Sequence, residues 1–188
     1  AQSLGPLGFL SQKRNGRYLF CPDDSVCTVS LVGLGECVEV LCGKPMHESP
    51  DAQVLGNRII QYVSSLCAQE REERGLLLEA ECGWDESVAR RFASLDLRVY
   101  PDLARNFVKP HFLTQDISYS LGGESICGQD PLPFEKIRAE AELYRGFATP
   151  QTVRVSLSAE EFSASTLTDF LFKVFHSTPL RRLQIDFV

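Results

Sequence analysis

The sequence predicts an α/β fold in which a mixed β-sheet has helices packed chiefly on one face. Three observations predict it. Hydrophobic residues recur at helical spacing over 51–74, and alternation typical of a strand follows over 76–82. The order strand, helix, strand occurs twice, beginning at 76 and again at 152. An Asn-Gly pair near the N-terminus is a strong hairpin signal. We therefore expect two strand-helix-strand units plus N-terminal hairpins, forming one globular domain over residues 1–188.

Two hairpins are expected in the first 45 residues. Asn15 and Gly16 suit the positive φ angles of a type I′ turn, and the tip is basic because it holds Lys13, Arg14 and Arg17. The expected second hairpin pairs two β-rich runs, 26–32 and 37–42.

The segment 51–74 is the long helix around which the rest is expected to pack. Its apolar stripe recurs at intervals of three and four residues: Leu55, Ile59, Val63 and Leu66, with Tyr62 alongside. Burying each aliphatic side chain stabilises the fold by roughly 1.5 to 3 kcal/mol. Ser49 or Asp51 is the expected N-cap, and Gly75 provides the left-handed residue that ends the helix.

The two strand-helix-strand units have clear boundaries. The first is expected from three segments: 76–82, 85–94 and 97–100. In the second, strand 152–158 leads into a helix that ends near 176, followed by strand 180–188. Ser158 and Glu161 form a capping box there, and Leu157 and Phe162 occupy the positions of a hydrophobic staple. Parallel, right-handed crossovers are expected in both units.

Composition narrows the class of protein. The chain has 188 residues, 44% of them hydrophobic and 23% charged, and a formal net charge of −6, which argues against nucleic acid or anionic lipid as partner. No apolar run reaches the ~18 residues that span a membrane. An odd count of seven cysteines and the absence of an Asn-x-Ser/Thr sequon favour the cytoplasm or nucleus over secretion. Because the first residue is Ala, we also interpret the sequence as a domain excised from a longer chain.

The sequence holds only weak motifs for metal binding, cofactor binding or catalysis. The cysteines include no C-x-x-C pair, and no two histidines lie close together, so we expect neither a metal nor a cofactor. One pair could act as nucleophile and base. It consists of Cys42 and His47, in a loop after an expected strand. Glu79 and Glu81 share one strand face, which we interpret as the side exposed to solvent.

The strongest functional signal is an apolar surplus in the last helix. One sheet cannot cover Phe170, Phe172 and Phe175 together, because they span more than half of the circumference. The leading hypothesis is a non-catalytic interaction domain, an adaptor or scaffold subunit of an intracellular complex, which binds a protein partner or a second copy through Phe172 and Phe175. Two alternatives stay open: an enzyme using Cys42 and His47, and a nucleic-acid-associated subunit using Lys13, Arg14 and Arg17.

Overall fold

The computed structural model describes residues 8, 12–18, 20–21, 25–83, 85–110, 117–121, 132–158, 160 and 163–187. The helices within these ranges are α1 (Leu34–Cys42), α2 (Pro50–Arg74), α3 (Glu86–Val99), α4 (Pro101–Ala104), α5 (Pro133–Tyr144) and α6 (Ala164–Ser177). The strands are β1 (Lys13–Arg14), β2 (Arg17–Tyr18), β3 (Cys27–Leu31), β4 (Leu78–Cys82), β5 (Lys109–Pro110), β6 (Ile117–Ser118), β7 (Thr152–Leu157) and β8 (Arg182–Phe187). The α/β class is confirmed. No described helix combines the length and apolarity needed to cross a membrane.

The described strands form four two-stranded sheets. β1 pairs with β2 and β5 pairs with β6 in antiparallel fashion, whereas β3 with β4 and β7 with β8 are parallel pairs. The N-terminal hairpin is confirmed, with φ angles of 53° at Asn15 and 81° at Gly16.

The segment 37–42 is a helix, so the expected second hairpin is wrong. Leu34 and Val38, one helical turn apart in α1, are both buried, and this pairing outweighs the β propensity of the segment. Gly33 at φ 74° and Gly43 at φ 71° flank the helix in left-handed conformations. β3 therefore pairs with β4 across a crossover formed by α1 and α2.

The long helix α2 agrees with prediction at both ends. The Ser49 side chain accepts a hydrogen bond from the Ala52 amide at 3.4 Å, and Gly75 ends the helix at φ 68°. Its most buried face is rotated relative to the expected stripe and consists of Ala52, Gly56, Ile60 and Cys67. Leu55, Ile59 and Val63 pack beside this face, whereas Leu66 and Tyr62 are exposed.

Close packing against the small residues explains this rotation. A Cβ atom added to Gly56 would lie 2.6 Å from Met46 Sδ and 3.0 Å from Leu143 Cδ1. Since the lack of a side chain at Gly56 lets its neighbours approach the α2 backbone, the helix packs along its small residues rather than along its large ones.

The expected strand 97–100 is also wrong, because α3 continues to Val99. Ala89 and Ala93 are buried, and Leu97 continues the same four-residue spacing, so the helical face extends past the expected end. Asp85 caps the helix as expected, accepting a hydrogen bond from Ser87 N at 2.8 Å. The first strand-helix-strand unit therefore does not form as predicted.

The second unit is confirmed: β7, α6 and β8 form a parallel crossover whose register runs from Thr152 opposite Arg182 to Leu157 opposite Phe187. The start of α6 differs from the prediction. Ser163, not Ser158, caps it by accepting a hydrogen bond from Thr166 N at 3.2 Å. Glu161 and Phe162, the other partners of the expected cap, lie outside the described residues.

The core lies between the two parallel strand pairs and the helices α1, α2, α5 and α6. Its largest fully buried side chains are Ile60, Ile137, Leu143, Leu157, Val38, Val153 and Val174. Both strand pairs therefore share one core, which brings the end of β4 close to the start of β7.

Candidate functional site

The aromatic residues expected to bind a partner are exposed on α6. Phe172 is 64% and Phe175 47% accessible to solvent. The Phe172 ring stacks on His176, with ring centroids 3.8 Å apart. Binding of a protein partner at these two residues stays a prediction.

The basic hairpin tip is likewise exposed. Lys13, Arg14 and Arg17 all face solvent, and Lys13 Nζ lies 4.5 Å from the centroid of the Tyr18 ring. This cation-π contact fixes one of the three charges near the turn. Their expected role in a nucleic-acid-associated subunit also stays a prediction.

The Cys42 and His47 pair gains no support. Cys42 is exposed at the end of α1, whereas the His47 side chain is mostly buried and its Nε2 lies 3.5 Å from Glu48 Oε1. No hydrogen bond between Cys42 and His47 occurs in the part of the chain that the structure describes. The pair therefore lacks the contact that a base needs to activate a thiol.

A cleft of about 390 Å³ lies where β4 ends beside the start of β7. We call it the junction groove and define it by the following residues: Glu79, Glu81, Cys82, Glu140, Tyr144, Gln151, Arg154 and Arg182. Gln151 joins the two sides, since its Oε1 accepts a hydrogen bond from Cys82 N at 3.0 Å. Gln151 Nε2 in turn donates to the Thr149 carbonyl at 3.0 Å, which fixes the orientation of the amide.

Charges of both signs line the junction groove. From β4, Glu79 approaches Arg71 at 3.4 Å, and Glu81 accepts a hydrogen bond from the Ser30 hydroxyl at 2.7 Å. Arg154 from β7 and Arg182 from β8 are both exposed. One strand pair thus presents carboxylates and the other presents guanidinium groups to the same cleft.

A hydrogen-bonded chain leads from the Cys82 thiol to a buried carboxylate. The Tyr144 hydroxyl lies within hydrogen-bond reach of the thiol and donates to Glu140 Oε2 at 3.2 Å. Glu140 Oε1 lies 3.9 Å from Lys136 Nζ. The phenol has a single proton, and its hydrogen bond to the Cys82 sulfur favours the thiolate and lowers the pKa of the thiol.

Burial keeps this thiol protonated. It raises the pKa of Cys82 from 9.0 to about 12, with further upward contributions from the Glu140 and Glu81 charges and an opposing one from the Tyr144 hydrogen bond. At neutral pH the group is therefore a neutral S–H. A thiol in this state is a weak nucleophile and resists oxidation through its thiolate.

Tight backbone packing fixes the position of Cys82. Gly83 N donates to the Leu31 carbonyl at 2.7 Å, directly after the last residue of β4. A Cβ atom at Gly83 would lie 2.5 Å from Val32 Cγ2 and 2.9 Å from the Leu31 oxygen. Only glycine fits at this position, so the end of β4 is held against β3.

Sequence reasoning named some residues of the junction groove but not the groove itself. Glu79 and Glu81 were expected on the solvent-exposed face of a strand. The convergence of the groove residues has no local motif, because these residues come from four separate segments between positions 79 and 182.

No group of three or more His, Cys, Asp or Glu side chains among the described residues could hold a metal ion. Any metal at the junction groove would therefore need ligands beyond the described side chains. Mg²⁺ is commonly bound in this way, by one or two carboxylates together with substrate phosphates.

The comparisons with known proteins identify an enzyme family. A search of curated proteins finds no match to this chain. The family model of anaerobic ribonucleoside-triphosphate reductase matches residues 8–185, which is nearly the entire sequence. The expectation of a non-catalytic adaptor or scaffold is therefore wrong, because this is a family of catalysts. By this match over almost its full length, the chain belongs to the anaerobic ribonucleoside-triphosphate reductase family.

Proposed function

We propose that this chain takes part in the reduction of ribonucleoside triphosphates and that the junction groove is its nucleotide-binding site. The family match over residues 8–185 is the observation on which the proposal rests. A reductase acting on a triphosphate needs cations that bind phosphate oxygens and a group that can be oxidised. The junction groove contains both an arginine pair and a thiol.

Arg154 and Arg182 are the proposed phosphate ligands. Arg182 lies opposite Thr152, two residues before Arg154, so the two arginines are diagonal neighbours on one face of the β7 and β8 pair. Planar guanidinium groups bind phosphate oxygens in bidentate fashion. A nucleoside triphosphate that carries Mg²⁺ also suits the other side, where Glu79 and Glu81 would face the metal rather than the phosphates.

Cys82 is the proposed redox group. Its raised pKa keeps the hydrogen on sulfur at neutral pH, so the thiol is preserved until substrate arrives. Tyr144 and Glu140 are positioning residues in this proposal, because they orient the S–H group through the chain of hydrogen bonds. Reduction of one nucleotide releases water and takes two electrons and two protons, which one thiol cannot supply alone; in every turnover an external dithiol supplies them and is oxidised to a disulfide.

Nucleotide binding is the first test. We expect calorimetric titration of the oxygen-free protein with Mg²⁺ and each of the four common ribonucleoside triphosphates to show binding that weakens as salt increases. Arg154→Ala and Arg182→Ala should each weaken binding by about tenfold or more, since a hydrogen bond to a charged group contributes roughly 1.5 to 3 kcal/mol. Arg138→Ala, an exposed arginine on α5, is the matched control and should bind as the parent does.

Reduction of the nucleotide is the second test. The protein, incubated without oxygen with a ribonucleoside triphosphate and dithiothreitol, should yield the reduced nucleotide, measured by chromatography. Cys82→Ser should abolish the product, whereas Cys42→Ser, at an exposed thiol on α1, should leave it unchanged. Full activity of Cys82→Ser, or equal nucleotide affinity of the arginine variants and the parent, would contradict the proposal.

A further inference from the structure

A second cleft, separate from the junction groove, lies between α1, α3 and α4. It has a volume of about 360 Å³. Four aromatic side chains line it: Phe92, Tyr100, Phe107 and Tyr119. Clefts of a few hundred Å³ with largely apolar walls and few polar groups are typical of small-molecule sites. We call it the aromatic cleft.

Two carboxylates provide the charge of the aromatic cleft. Asp96 Oδ2 accepts a hydrogen bond from the Tyr119 hydroxyl at 2.8 Å. The two oxygens of buried Glu36 accept hydrogen bonds from Ser120 N at 2.6 Å and Ser120 Oγ at 2.7 Å. The Tyr119 hydroxyl is a neutral donor, so it orients the Asp96 carboxylate without cancelling its charge. The described lining residues include no Lys, Arg or His, so the cleft repels phosphates.

Tyr119 also stays a neutral donor. Burial, followed by the hydrogen bond and charge of Asp96, raises the pKa of its phenol above the ordinary value. Its ring remains available as a wall of the cleft. The Phe92 ring makes a cation-π contact within the protein, because the Arg91 guanidinium lies 5.6 Å from its centroid.

We propose that the aromatic cleft binds a small organic ammonium cation. Aromatic faces attract alkylated ammonium groups through their quadrupoles, and the Asp96 carboxylate beside them adds charge complementarity. Neither feature suits the triphosphate proposed for the junction groove. The inference therefore does not depend on the proposed function.

Calorimetric titration of the whole protein with choline and with tetramethylammonium tests this site. Both cations should bind at the same site. Choline should bind at least about tenfold more tightly than its neutral carbon analogue, in which a tert-butyl group replaces the trimethylammonium group. Equal affinity for choline and the neutral analogue, or no binding of either cation, would overturn the proposal.

Two substitutions locate the site without removing core packing. Asp96→Asn keeps an acceptor for the Tyr119 hydroxyl but removes the charge, and should weaken choline binding about tenfold. Tyr100→Ala should weaken it about three- to fivefold. Tyr62→Ala is the matched control, because Tyr62 on α2 is 66% exposed and Tyr100 is 62% exposed. An effect of the control equal to that of Tyr100→Ala would refute binding in the aromatic cleft.

Cys37 provides an independent readout because it is exposed and lines the aromatic cleft. A methanethiosulfonate reagent transfers its sulfur substituent to the thiolate: an S–S bond forms, methanesulfinate leaves, and the thiol proton passes to solvent. At low salt, a trimethylammonium reagent should modify Cys37 at least about tenfold faster than a sulfonate reagent. Choline should slow the cationic reagent at this position.

Cys42, exposed at the other end of α1, is the internal comparison. Its preference for the cationic reagent should be much smaller, and choline should not protect it. Mass spectrometry of the modified peptides separates the two positions. Equal charge preference at Cys37 and Cys42, together with no protection by choline, would overturn the proposal even if every variant folds normally.

Discussion

Cys82 should be alkylated much more slowly than a thiol of ordinary pKa. Burial and neighbouring carboxylates raise the pKa of Cys82 from 9.0 to about 12, a shift of about three pH units. Near pH 8 this shift lowers the thiolate population about a thousandfold. A more basic thiolate is intrinsically more nucleophilic, and this raises the alkylation rate again by about fifteen- to thirtyfold. The expected net effect is a rate about thirty- to sixtyfold below that of an ordinary thiol.

Pulsed labelling with iodoacetamide measures this rate. Mass spectrometry of the peptides gives the extent of alkylation at each cysteine in one sample, with exposed Cys42 as internal reference. Between about pH 9 and 11 the Cys82 rate should still rise about tenfold per pH unit, whereas a thiol with a pKa of 9.0 has levelled off. A Cys82 rate that levels off near pH 9 would refute the assignment of a buried, protonated thiol.

Glu140→Gln tests the electrostatic cause. It removes a negative charge near Cys82 with little change in volume, so the pKa of Cys82 should fall and alkylation near pH 8 should become faster. Glu142→Gln, an exposed carboxylate on the same helix, is the matched control. If both variants react at the parental rate, burial alone sets the pKa.

The same shift predicts how stability depends on pH. The folded protein holds the Cys82 proton up to about pH 12, whereas the unfolded chain releases it near 9.0. This contribution to stability is therefore fully present below pH 9 and is lost as pH rises towards 12. The loss is about 1.4 kcal/mol at pH 10 and at most about 4 kcal/mol. Urea unfolding measures this loss. Between pH 8 and 10 the free energy of unfolding of Cys82→Ala should fall by about 1.4 kcal/mol less than that of the parent protein. An equal fall in both proteins would contradict this linkage.

Three further predictions concern stability and are measured by urea unfolding. Gly83→Ala should destabilise by about 1 to 3 kcal/mol, because its Cβ would lie 2.5 Å from Val32 Cγ2 and 2.9 Å from the Leu31 carbonyl oxygen. Ser163→Ala should destabilise by about 1 kcal/mol, since Ser163 caps α6, and Ser158→Ala by less than half of that. A larger effect of Ser158→Ala would show that Ser158 is the cap, as the sequence predicted. Ile137→Ala should cost about 2 to 5 kcal/mol, as expected for a fully buried side chain, and a loss below 1 kcal/mol would contradict the assigned core.

Helices and strands whose ends are marked by capping or turn residues could be predicted from the sequence. α2 has a serine before it and a glycine after it, and both adopt the expected roles at Ser49 and Gly75. In β7 the alternation of Val153, Val155 and Leu157 matches burial residue by residue. In such segments the local preference and the tertiary environment agree, so sequence suffices.

Predictions failed where two periodicities overlapped. The segment 37–42 is rich in residues that favour strands, yet Val38 also lies one helical turn from Leu34, and tertiary burial favours the helix. In the segment 97–100, Leu97 and Val99 with their neighbours Arg98 and Tyr100 predicted a short strand, and Pro101 was expected to stop it. However, proline at the first position of α4 suits a new helix as well as it ends a strand.

The junction groove could not be predicted, because its existence depends on how the two parallel strand pairs meet. The end of β4 contacts the start of β7 through the Gln151 side chain rather than through a backbone ladder. A ladder would have closed the space between the strands, whereas one side-chain bridge leaves a cleft beside Cys82. In this cleft, carboxylates of one pair lie opposite arginines of the other. The shared core brings the two strand pairs together and the Gln151 amide joins them, so the charge arrangement in the groove depends on tertiary packing that no sequence pattern marks.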